Sequence, residues 1–325
     1  MKYAVISDIH GNEPVLRAVL EDAQNRKVDG FLLLGDYCLS HPFPNECVEL
    51  IRSLPGALVV SGNEEGRLSA LCGQDQSTWT DGQMQVSYWC YRTMTPENIN
   101  YIGHLPGRID TVLNGVPVHM AHSSAEFLGD CAHHQWDAAS LALHCGESFI
   151  SSDQRKEKIH RYLSSNEAFQ RTLAALPDGV YLFGHSHVQW SYLTPDGKKL
   201  LMNPGSCGLP LDCTLEGAPY TILDLSEPGH IGVEEIRLPV SLEKQIQTIR
   251  ESDQYIHAQV WSEIIIKELK KCREQIVFFL QFVESYANQI SDPVRPYSVK
   301  TWEAAFRLWN GPQAGSIPGG NIAKA

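Results

Sequence analysis

Residues 3–11, with the sequence YAVISDIHG, decide the fold of this 325-residue chain. The apolar run over residues 3–7 predicts a short buried strand, and an acid and a histidine follow it closely. The next segment, residues 14–25, has apolar side chains at helical spacing, with Asn12 in the capping position and Pro14 in the first turn. A second strand is expected over residues 31–34. The chain therefore opens with a βαβ unit, which favours an α/β fold with a mainly parallel sheet.

The alternation of strands and helices continues over the first 240 residues. A helix is expected over residues 45–52, and further strands are expected over residues 58–61, 117–121, 180–183, 199–203, 220–225 and 231–237. Two mostly helical insertions, residues 64–105 and 125–176, interrupt the pattern and are rich in His, Trp and Tyr. We expect these insertions to wall a pocket.

After residue 241 the alternation of strands and helices gives way to a helical pattern. Apolar residues recur at helical spacing from Leu242 to Ile290, which predicts one long helix or two shorter ones, and a further helix is expected over residues 301–309. The sequence thus divides into a catalytic domain (1–240), a C-terminal helical extension (241–310) and a disordered tail (311–325). The extension either packs against the catalytic domain or forms a homo-oligomer interface, and the sequence leaves both alternatives open.

Composition excludes several classes of function. Residues 1–239 carry 29 acidic and 16 basic side chains, which disfavours a nucleic-acid partner, since such a partner needs a cationic surface. A small phosphorylated substrate fits better. The apolar runs fall far short of the about 20 residues that cross a bilayer, which predicts no membrane association. Nine cysteines without a CxxC pair indicate neither a disulfide framework nor a thiolate zinc cage. With no secretory signal apparent, the expected location is cytoplasmic.

Five short polar motifs each follow a predicted strand. The carboxyl ends of strands in an open α/β sheet meet in one crevice, so residues far apart in sequence are expected in one site. The motifs are Asp8-Ile9-His10, Gly35-Asp36, Gly62-Asn63, His122-Ser123 and Gly184-His185-Ser186-His187.

These motifs contain the ligands of a metal site. Their carboxylate, amide and imidazole groups suit Mn²⁺, the favoured ion, and also Fe, Zn²⁺ or Ni²⁺. Seven ligands are too many for one tetrahedral ion. If Asp36 bridges with its two oxygens, two divalent ions can be held about 3.5 to 4 Å apart, and a water between them loses a proton near neutral pH. The resulting hydroxide would be the nucleophile that attacks phosphorus.

The order and context of the motifs resemble the signature of the calcineurin-like metallophosphoesterases over residues 1–240. Within that family the chain looks most like the compact bacterial and archaeal phosphodiesterases, because Gly35-Asp36-Tyr37 is followed by Pro44-Asn45-Glu46-Cys47. The segment Asn203-Pro204-Gly205-Ser206 also resembles a turn found downstream in the family. The resemblance implies a four-layer αββα sandwich. It implies that one metal is bound by Asp8, His10, Asp36 and His187, and the other by Asp36, Asn63, His122 and His185.

One position departs from the family pattern. Many members have a histidine after the Gly-Asn motif that protonates the leaving group, whereas this chain has Glu64, followed by Glu65. Glu64 is a catalytic acid only if burial or neighbouring carboxylates raise its pKa. The alternative is that both glutamates are solvated loop residues. The expected catalytic residues are therefore Asp36, Asn63 and His122, with Glu64 as a further candidate.

The sequence thus predicts a dinuclear phosphoesterase, more specifically a phosphodiesterase that hydrolyses a small phosphorylated or nucleotide-like molecule. The alternative is a metal-binding regulatory or partner-binding module of low activity on the same fold. Because every expected ligand precedes residue 188, removal of the residues from 241 onward is expected to leave the metal site assembled. His119 is expected to pack in the core, and His133 and His134 are expected at the surface.

Overall fold

The computed structural model describes residues 1–129 and 137–309, together with Gly311. It contains two five-stranded sheets, with strand orders β10-β9-β1-β2-β3 and β4-β5-β6-β8-β7. The strands are β1 (Lys2–Ile6), β2 (Gly30–Leu33), β3 (Leu58–Val59), β4 (Arg108–Leu113), β5 (Val116–Ala121), β6 (Gly179–Leu182), β7 (Trp190–Leu193), β8 (Lys199–Asn203), β9 (Ala218–Asp224) and β10 (Gly232–Leu238).

Each sheet has three parallel strands and antiparallel partners at its edges. In the first sheet, β1 pairs with β2 and β2 with β3 in parallel. Strand β9 pairs antiparallel with β1 on one side and with β10 on the other. In the second sheet, β5, β6 and β8 are parallel, and β4 and β7 add the antiparallel edges. The sequence analysis missed β4 and β7. Strand β4 is exposed or half-buried at every position, so it lacks the continuous apolar run of a central strand.

The two sheets pack face to face over an apolar interior. Val5 and Leu32 of the first sheet, and Met120, Leu182 and Met202 of the second, are almost fully buried in one cluster. Other clusters cover the outer face of each sheet with helices. This arrangement is the four-layer αββα sandwich that the sequence predicted.

The helices fall in three blocks. In the first 53 residues and the first insertion they are α1 (Glu13–Asn25), α2 (Pro44–Ser53), α3 (Asn63–Ser69), α4 (Gln85–Thr93) and α5 (Pro96–Gly103), with a 3₁₀ turn at Gln76–Thr78. In the second insertion they are α6 (Ala125–Leu128), α7 (Ala138–Cys145), α8 (Ser152–Ser165) and α9 (Glu167–Ala175). After residue 241 they are α10 (Leu242–Arg250), α11 (Asp253–His257), α12 (Gln259–Lys271), α13 (Ile276–Gln289) and α14 (Val299–Leu308).

The C-terminal region is helical, but the apolar stripe is divided among four helices instead of one or two. Ser252 caps α11, and the left-handed backbone of Cys272 ends α12. Leu209 and Leu211 of the catalytic part are buried in one cluster with apolar residues of α10 and α12. The extension therefore packs against the catalytic part, and the homo-oligomer through these helices stays a prediction. Residues 312–325, where a disordered tail is expected, lie outside the described residues.

None of the helices within the described residues has the length and apolar character needed to cross a membrane.

Candidate metal centre

The loops that follow the parallel strands bring six of the seven predicted ligands into two groups. Asp8, His10 and His187 form the first group, and Asp36, His122 and His185 form the second. Within each group the ligand atoms lie within 4.8 Å of one another. The first group is more deeply enclosed, whereas His185 of the second is exposed to solvent. The site is therefore more open to solvent on the side of the second group.

Two imidazoles and one carboxylate converge in the first group. The Nε2 atoms of His10 and His187 are 3.0 Å apart, and Oδ1 of Asp8 is 3.3 Å from Nε2 of His187. His187 makes its other ring contact, 2.9 Å, from Nδ1 to the carbonyl oxygen of Leu209. Since a carbonyl can only accept, Nδ1 carries the proton, and the Nε2 lone pair of the neutral ring points into the group.

The second group has the same organisation and adds an amide. Nε2 of His122 lies 3.2 Å from Oδ2 of Asp36, and Nδ1 of His122 donates to the carbonyl oxygen of Leu34 at 2.7 Å. Oδ1 of Asn63 lies 3.0 Å from Nε2 of His122 and 2.8 Å from Nδ1 of His185. Asn63 is thus the seventh predicted ligand, and the structure places its oxygen among those of the second group.

The backbone at the site is strained. Five of the seven predicted ligands have positive φ, between 52° and 68°, which non-glycine residues adopt at a cost of about 1–3 kcal/mol each. Such conformations persist only where the surrounding structure holds them. The residues are Asp8, His10, Asp36, His185 and His187.

The glycines of the Gly-Asp and Gly-Asn motifs let two loops touch. Gly35 has a φ of +99°, and a Cβ there would lie 2.7 Å from the backbone of Gly62. A Cβ on Gly62 would lie 2.2 Å from Oδ1 of Asp36. Only glycine permits this approach, which places Asp36 beside Asn63.

Charges of opposite sign are paired inside the site. Burial lowers the pKa of His10 to about 4, and His187 adds to the shift. Burial acts in the same direction on His122, but the Asp36 and Asp8 carboxylates and the Leu34 carbonyl together outweigh it and raise the pKa of His122 to about 10. Burial would raise the pKa of Asp8, yet His187 and His122 together outweigh burial and the pKa of Asp8 falls to about 2. Ionised carboxylates therefore face imidazoles, as in a site where metal ions replace protons.

Glu64 and Glu65 are both buried, which corrects the alternative that they are solvated loop residues. The amide of Asn63 donates to Oε1 of Glu64 at 3.0 Å, and Arg67 lies 3.6 Å from Oε2. Oε2 is buried without a hydrogen-bond partner among the described residues. Burial raises the pKa of Glu64 to about 7. This is the condition under which the sequence analysis made Glu64 a candidate acid.

Glu65 clamps two ligand loops together, a role that the sequence analysis missed. Its carboxylate accepts the backbone N–H groups of Asp36 at 2.9 Å, Tyr37 at 2.8 Å and Gly62 at 2.8 Å. The side chain is fully buried. Its position at N3 of α3, directly after a Gly-Asn motif, is the signal that could have indicated a carboxylate turned back towards the start of the helix.

The Asn203-Pro204-Gly205-Ser206 segment supports the loops of the first group. The amide of Asn203 donates to the carbonyl oxygen of Gly184 at 2.7 Å. Ser206 Oγ donates to the carbonyl oxygen of Asp8 at 2.7 Å and accepts the N–H of Leu209 at 3.0 Å. This turn therefore connects the loop after β1 with the loop that holds His187.

Two polar residues near the first group have roles that the sequence did not show. Asn12 occupies the N-terminal end of α1 but makes no capping bond, and its amide instead donates to the carbonyl oxygen of Gly208. His41 is buried, with Nδ1 3.1 Å from the carbonyl oxygen of His10.

His119, expected in the core, is half-buried away from both groups and lies against Asp110 and Tyr181. His133 and His134 lie outside the described residues.

The donors of both groups fit divalent metal ions. Carboxylate and imidazole ligands suit first-row transition metals, and neither group contains a cysteine. Oδ1 of Asp8 is buried and makes no hydrogen bond among the described residues, so an oxygen lone pair is available. The carbonyl oxygens of Leu34 and Leu209 accept from Nδ1 of His122 and His187 and orient these rings. Metal-bound histidines commonly have such a hydrogen-bond partner on the ring nitrogen that does not bind the metal.

A four-layer sandwich with two such groups at its strand ends defines the class of metal-dependent phosphoesterases. A model of the calcineurin-like phosphoesterase superfamily domain matches residues 1–227. The chain belongs to this superfamily, which supports hydrolysis of phosphate esters and binding of divalent metals.

Several known proteins are similar to this chain. Uncharacterized protein MJ0912 of Methanocaldococcus jannaschii is 27% identical over 256 residues, which cover 76% of this chain and 90% of that protein. The structure of a metallophosphoesterase from Sphaerobacter thermophilus matches with a TM-score of 0.57 at 21% identity, covering 84% of this chain and 100% of that one. The hypothetical protein PH1004 from Pyrococcus horikoshii OT3 matches with a TM-score of 0.54 at 17% identity, covering 82% and 97%. These structures show the shared fold.

Proposed function

We propose that this protein is a phosphodiesterase that uses two divalent metal ions, with Mn²⁺ favoured, to hydrolyse a small phosphorylated or nucleotide-like substrate. The observation that carries the proposal is the pair of groups Asp8–His10–His187 and Asp36–His122–His185 at the ends of the parallel strands. Asn63 extends the second group by one amide oxygen. The first ion would be held by the first group and the second ion by the second, with Asp36 proposed as the ligand common to both.

The contribution of the ions is Lewis-acid activation. When bound, two such ions polarise a phosphoryl oxygen and make a nucleophile available near neutral pH. The protein contributes geometry. Oδ1 of Asp36 accepts the N–H of Glu64 at 2.9 Å, and Oδ2 of Asp8 accepts the N–H of His185 at 3.1 Å. These bonds hold each carboxylate in one orientation, so less reorganisation is needed when substrate binds.

Glu64 is proposed as the group that holds a proton for the leaving oxygen. Its Oε1 accepts from the amide of Asn63, which lies among the ligand atoms of the second group. Its Oε2 makes no hydrogen bond among the described residues and lies 3.6 Å from Arg67. The carboxyl therefore lies beside the part of the site that opens to solvent. A carboxyl group whose pKa is about 7 matches the working pH as an imidazolium would, so Glu64 could supply the proton of the missing histidine. Its contribution should be largest for esters with poor leaving groups.

The surroundings of the site support a small substrate. The acidic excess of residues 1–239 disfavours long polyanions such as nucleic acids. Arg67, half-buried and one helical turn from Asn63, is a cation beside Glu64 that could pair with a phosphate oxygen. We further propose that the protein acts in the cytoplasm.

Hydrolysis of a panel of esters by the purified, Mn²⁺-loaded protein tests the proposal. Bis(p-nitrophenyl) phosphate, p-nitrophenyl phosphate, nucleotides and cyclic nucleotides are assayed together with metal analysis. We expect two metal ions per chain and faster turnover of the diesters, with activity lost on chelation and restored by Mn²⁺. The matched control is His185→Ala, which should keep metal at the first group. Two bound ions without hydrolysis of any ester would favour the alternative, a metal-binding module that regulates or binds a partner.

A further inference from the structure

We infer that the C-terminal helical extension is part of the metal centre: Gln245 and Gln254 are positioning residues for the Asp8–His10–His187 group and thereby control the affinity of one of the two ions. The inference deepens the proposed function and rests on it. The family model ends at residue 227, so these residues lie outside the family domain. The sequence alone predicted that the site would assemble without them.

Gln254 holds a strained turn beside His10. Its amide donates to the carbonyl oxygen of Ser40 at 2.9 Å, and the side chain is fully buried. Leu39 and Ser40 are consecutive non-glycine residues with positive φ, 63° and 71°. Each such residue costs about 1–3 kcal/mol and needs support from its surroundings. The hydrogen bond from Gln254 stabilises the turn at Leu39 and Ser40 from outside the loop.

The turn held by Gln254 is bonded directly to the ligand loop. The backbone N–H of His41 donates to the carbonyl oxygen of His10 at 2.8 Å, and the N–H of Phe43 donates to Gly11 at 3.1 Å. The N–H of His10 in turn donates to Asp36 at 2.9 Å. A shift of Ser40 would therefore move the backbone on which the His10 ring is mounted.

Gln245 acts from the other side of the same loop. The amide of Asn12 donates both to Oε1 of Gln245 at 2.9 Å and to the carbonyl oxygen of Gly208 at 2.9 Å. The N–H of Gly208 donates to the carbonyl oxygen of Asp8 at 3.2 Å. Asn12 is buried, so loss of the Gln245 oxygen would leave one of its donors without a partner. This network joins the Asp8 loop to helix α10.

The extension also packs under the acceptor that orients His187. Nδ1 of His187 donates to the carbonyl oxygen of Leu209. The Leu209 side chain is buried in a cluster with Ile249 of α10 and with Ile265 and Leu269 of α12. All three ligands of the first group are therefore connected to residues after 241 through one or two intervening residues.

The second group has different supports. His122 is held by Leu34 and Asn63, and Asp36 by Glu64 and Glu65. Within residues 1–129 and 137–309 we find no hydrogen bond from the extension to the ligands Asp36, Asn63, His122 or His185. The extension therefore acts most directly on the ion of the first group, whereas its connection to Asp36 runs through the backbone of His10.

Calorimetric titration of the metal-free full-length protein with Mn²⁺ tests the inference. Gln254→Leu and Gln245→Leu should each weaken one of the two binding steps by about 10- to 100-fold, the usual effect of losing a partner behind the metal ligands, and leave the other step unchanged. The exposed glutamines of the neighbouring turns supply matched controls, Gln247→Leu on α10 and Gln259→Leu on α12, which should bind as the wild type does.

Two histidine variants show which of the two metal-binding steps is affected. In His185→Ala, which keeps the first group, the Gln254→Leu and Gln245→Leu changes should still weaken binding. In His187→Ala, which keeps the second group, they should have no effect. Gln245→Glu retains the oxygen that accepts from Asn12, so it should restore the affinity that Gln245→Leu loses. Gln245 is only half-buried, so its variants should fold even if Gln254→Leu does not.

The outcomes distinguish the positioning role of Gln245 and Gln254 from the proposed phosphodiesterase function. Unchanged isotherms for Gln245→Leu, or equal weakening in both histidine backgrounds, would overturn the inference and leave the proposed function in place. Two metal-binding steps in a wild-type protein that hydrolyses no ester would overturn the proposed function and leave the positioning role intact. A wild-type protein that binds no metal ion would overturn both.

Discussion

The Nε2 atoms of His10 and His187 lie 3.0 Å apart, although the two residues are 177 positions apart in sequence. The other nitrogen of His187 donates to a backbone carbonyl, so its Nε2 has a lone pair when the ring is neutral. Two imidazole lone pairs cannot face each other at this distance without a proton or a cation between them. The two rings therefore face one shared proton or cation, as two ligands of a single metal ion would.

Asp36→Asn should abolish hydrolysis and lower the metal content more than any other single change at the site. A neutral amide is a poor ligand between two cations, and Asp36 faces His122 at 3.2 Å in the second group. Elemental analysis and turnover of bis(p-nitrophenyl) phosphate provide the measurements. Asp110→Asn, which changes a half-exposed carboxylate beside His119, is the control. Two ions per chain and normal turnover in Asp36→Asn would refute the role of this residue.

Glu65→Gln should destabilise the protein by about 1–3 kcal/mol and weaken metal binding at the second group. The carboxylate accepts three backbone N–H groups, whereas the amide of glutamine presents a donor to at least one of them. Urea unfolding of the metal-free protein and a Mn²⁺ titration measure the two effects. Glu97→Gln on the exposed face of α5 should change neither. Wild-type stability and affinity in Glu65→Gln would contradict the clamp.

Gly62→Ala should cost about 1–3 kcal/mol of stability and reduce activity, because the added methyl group would lie 2.2 Å from Oδ1 of Asp36. Gly66→Ala, inside the helix that follows Gly62, is its control. A Cβ on Gly66 meets nothing within 4 Å, so the alanine should stabilise helix α3 by about 0.5–1 kcal/mol. Thermal unfolding of both variants measures the difference. Equal effects of the two alanines would show that the contact between the Gly35 and Gly62 loops is unimportant.

Glu64→Gln should reduce kcat/KM by about 10²- to 10⁴-fold for esters with poor leaving groups and only slightly for activated aryl esters. The amide cannot give a proton to the departing oxygen, but it keeps the size and the hydrogen-bond acceptor that Asn63 uses. We would measure kcat/KM for a series of esters of graded leaving-group pKa at fixed metal loading. The slope of log(kcat/KM) against leaving-group pKa is then compared between wild type and variant. If wild type and variant have the same slope, another group donates the proton.

Arg155→Met should destabilise the protein by about 3–5 kcal/mol without changing metal affinity. Arg155 is fully buried and contacts Asp212 at 3.4 Å, Glu235 at 3.3 Å and the carbonyl oxygen of Gln189 at 2.8 Å. Its removal leaves buried acids short of positive charge. Arg161→Met, on the exposed side of α8, should cost less than about 1 kcal/mol. Denaturant unfolding decides, and equal midpoints for the two variants would exclude the ion network as a source of stability.

Much of this molecule could be predicted from its sequence. The βαβ opening and the polar motifs at the strand ends follow from the apolar runs and the residues after them. The four-layer sandwich and the division of the ligands between two metals are what the resemblance to the calcineurin-like metallophosphoesterases implies. The runs and motifs are local signals, and they place Asp8 after β1 and His187 after β6. Because these two strands lie in different sheets, it is the face-to-face packing of the sheets that brings the two residues together. Strand β4 was missed because its burial depends on its partner and not on its own composition.

Only the tertiary structure decided which polar side chains outside the motifs act on the site. Glu65 lies in an ordinary acidic pair in the sequence, and its burial follows from the approach of Gly35 to Gly62. Gln254 has no distinguishing feature in the sequence, yet it meets Ser40 across 214 positions. The physical reason is that periodicity and motifs report the chemistry of neighbouring residues. A contact between distant segments depends instead on which surfaces are left to be covered once the sheets have packed.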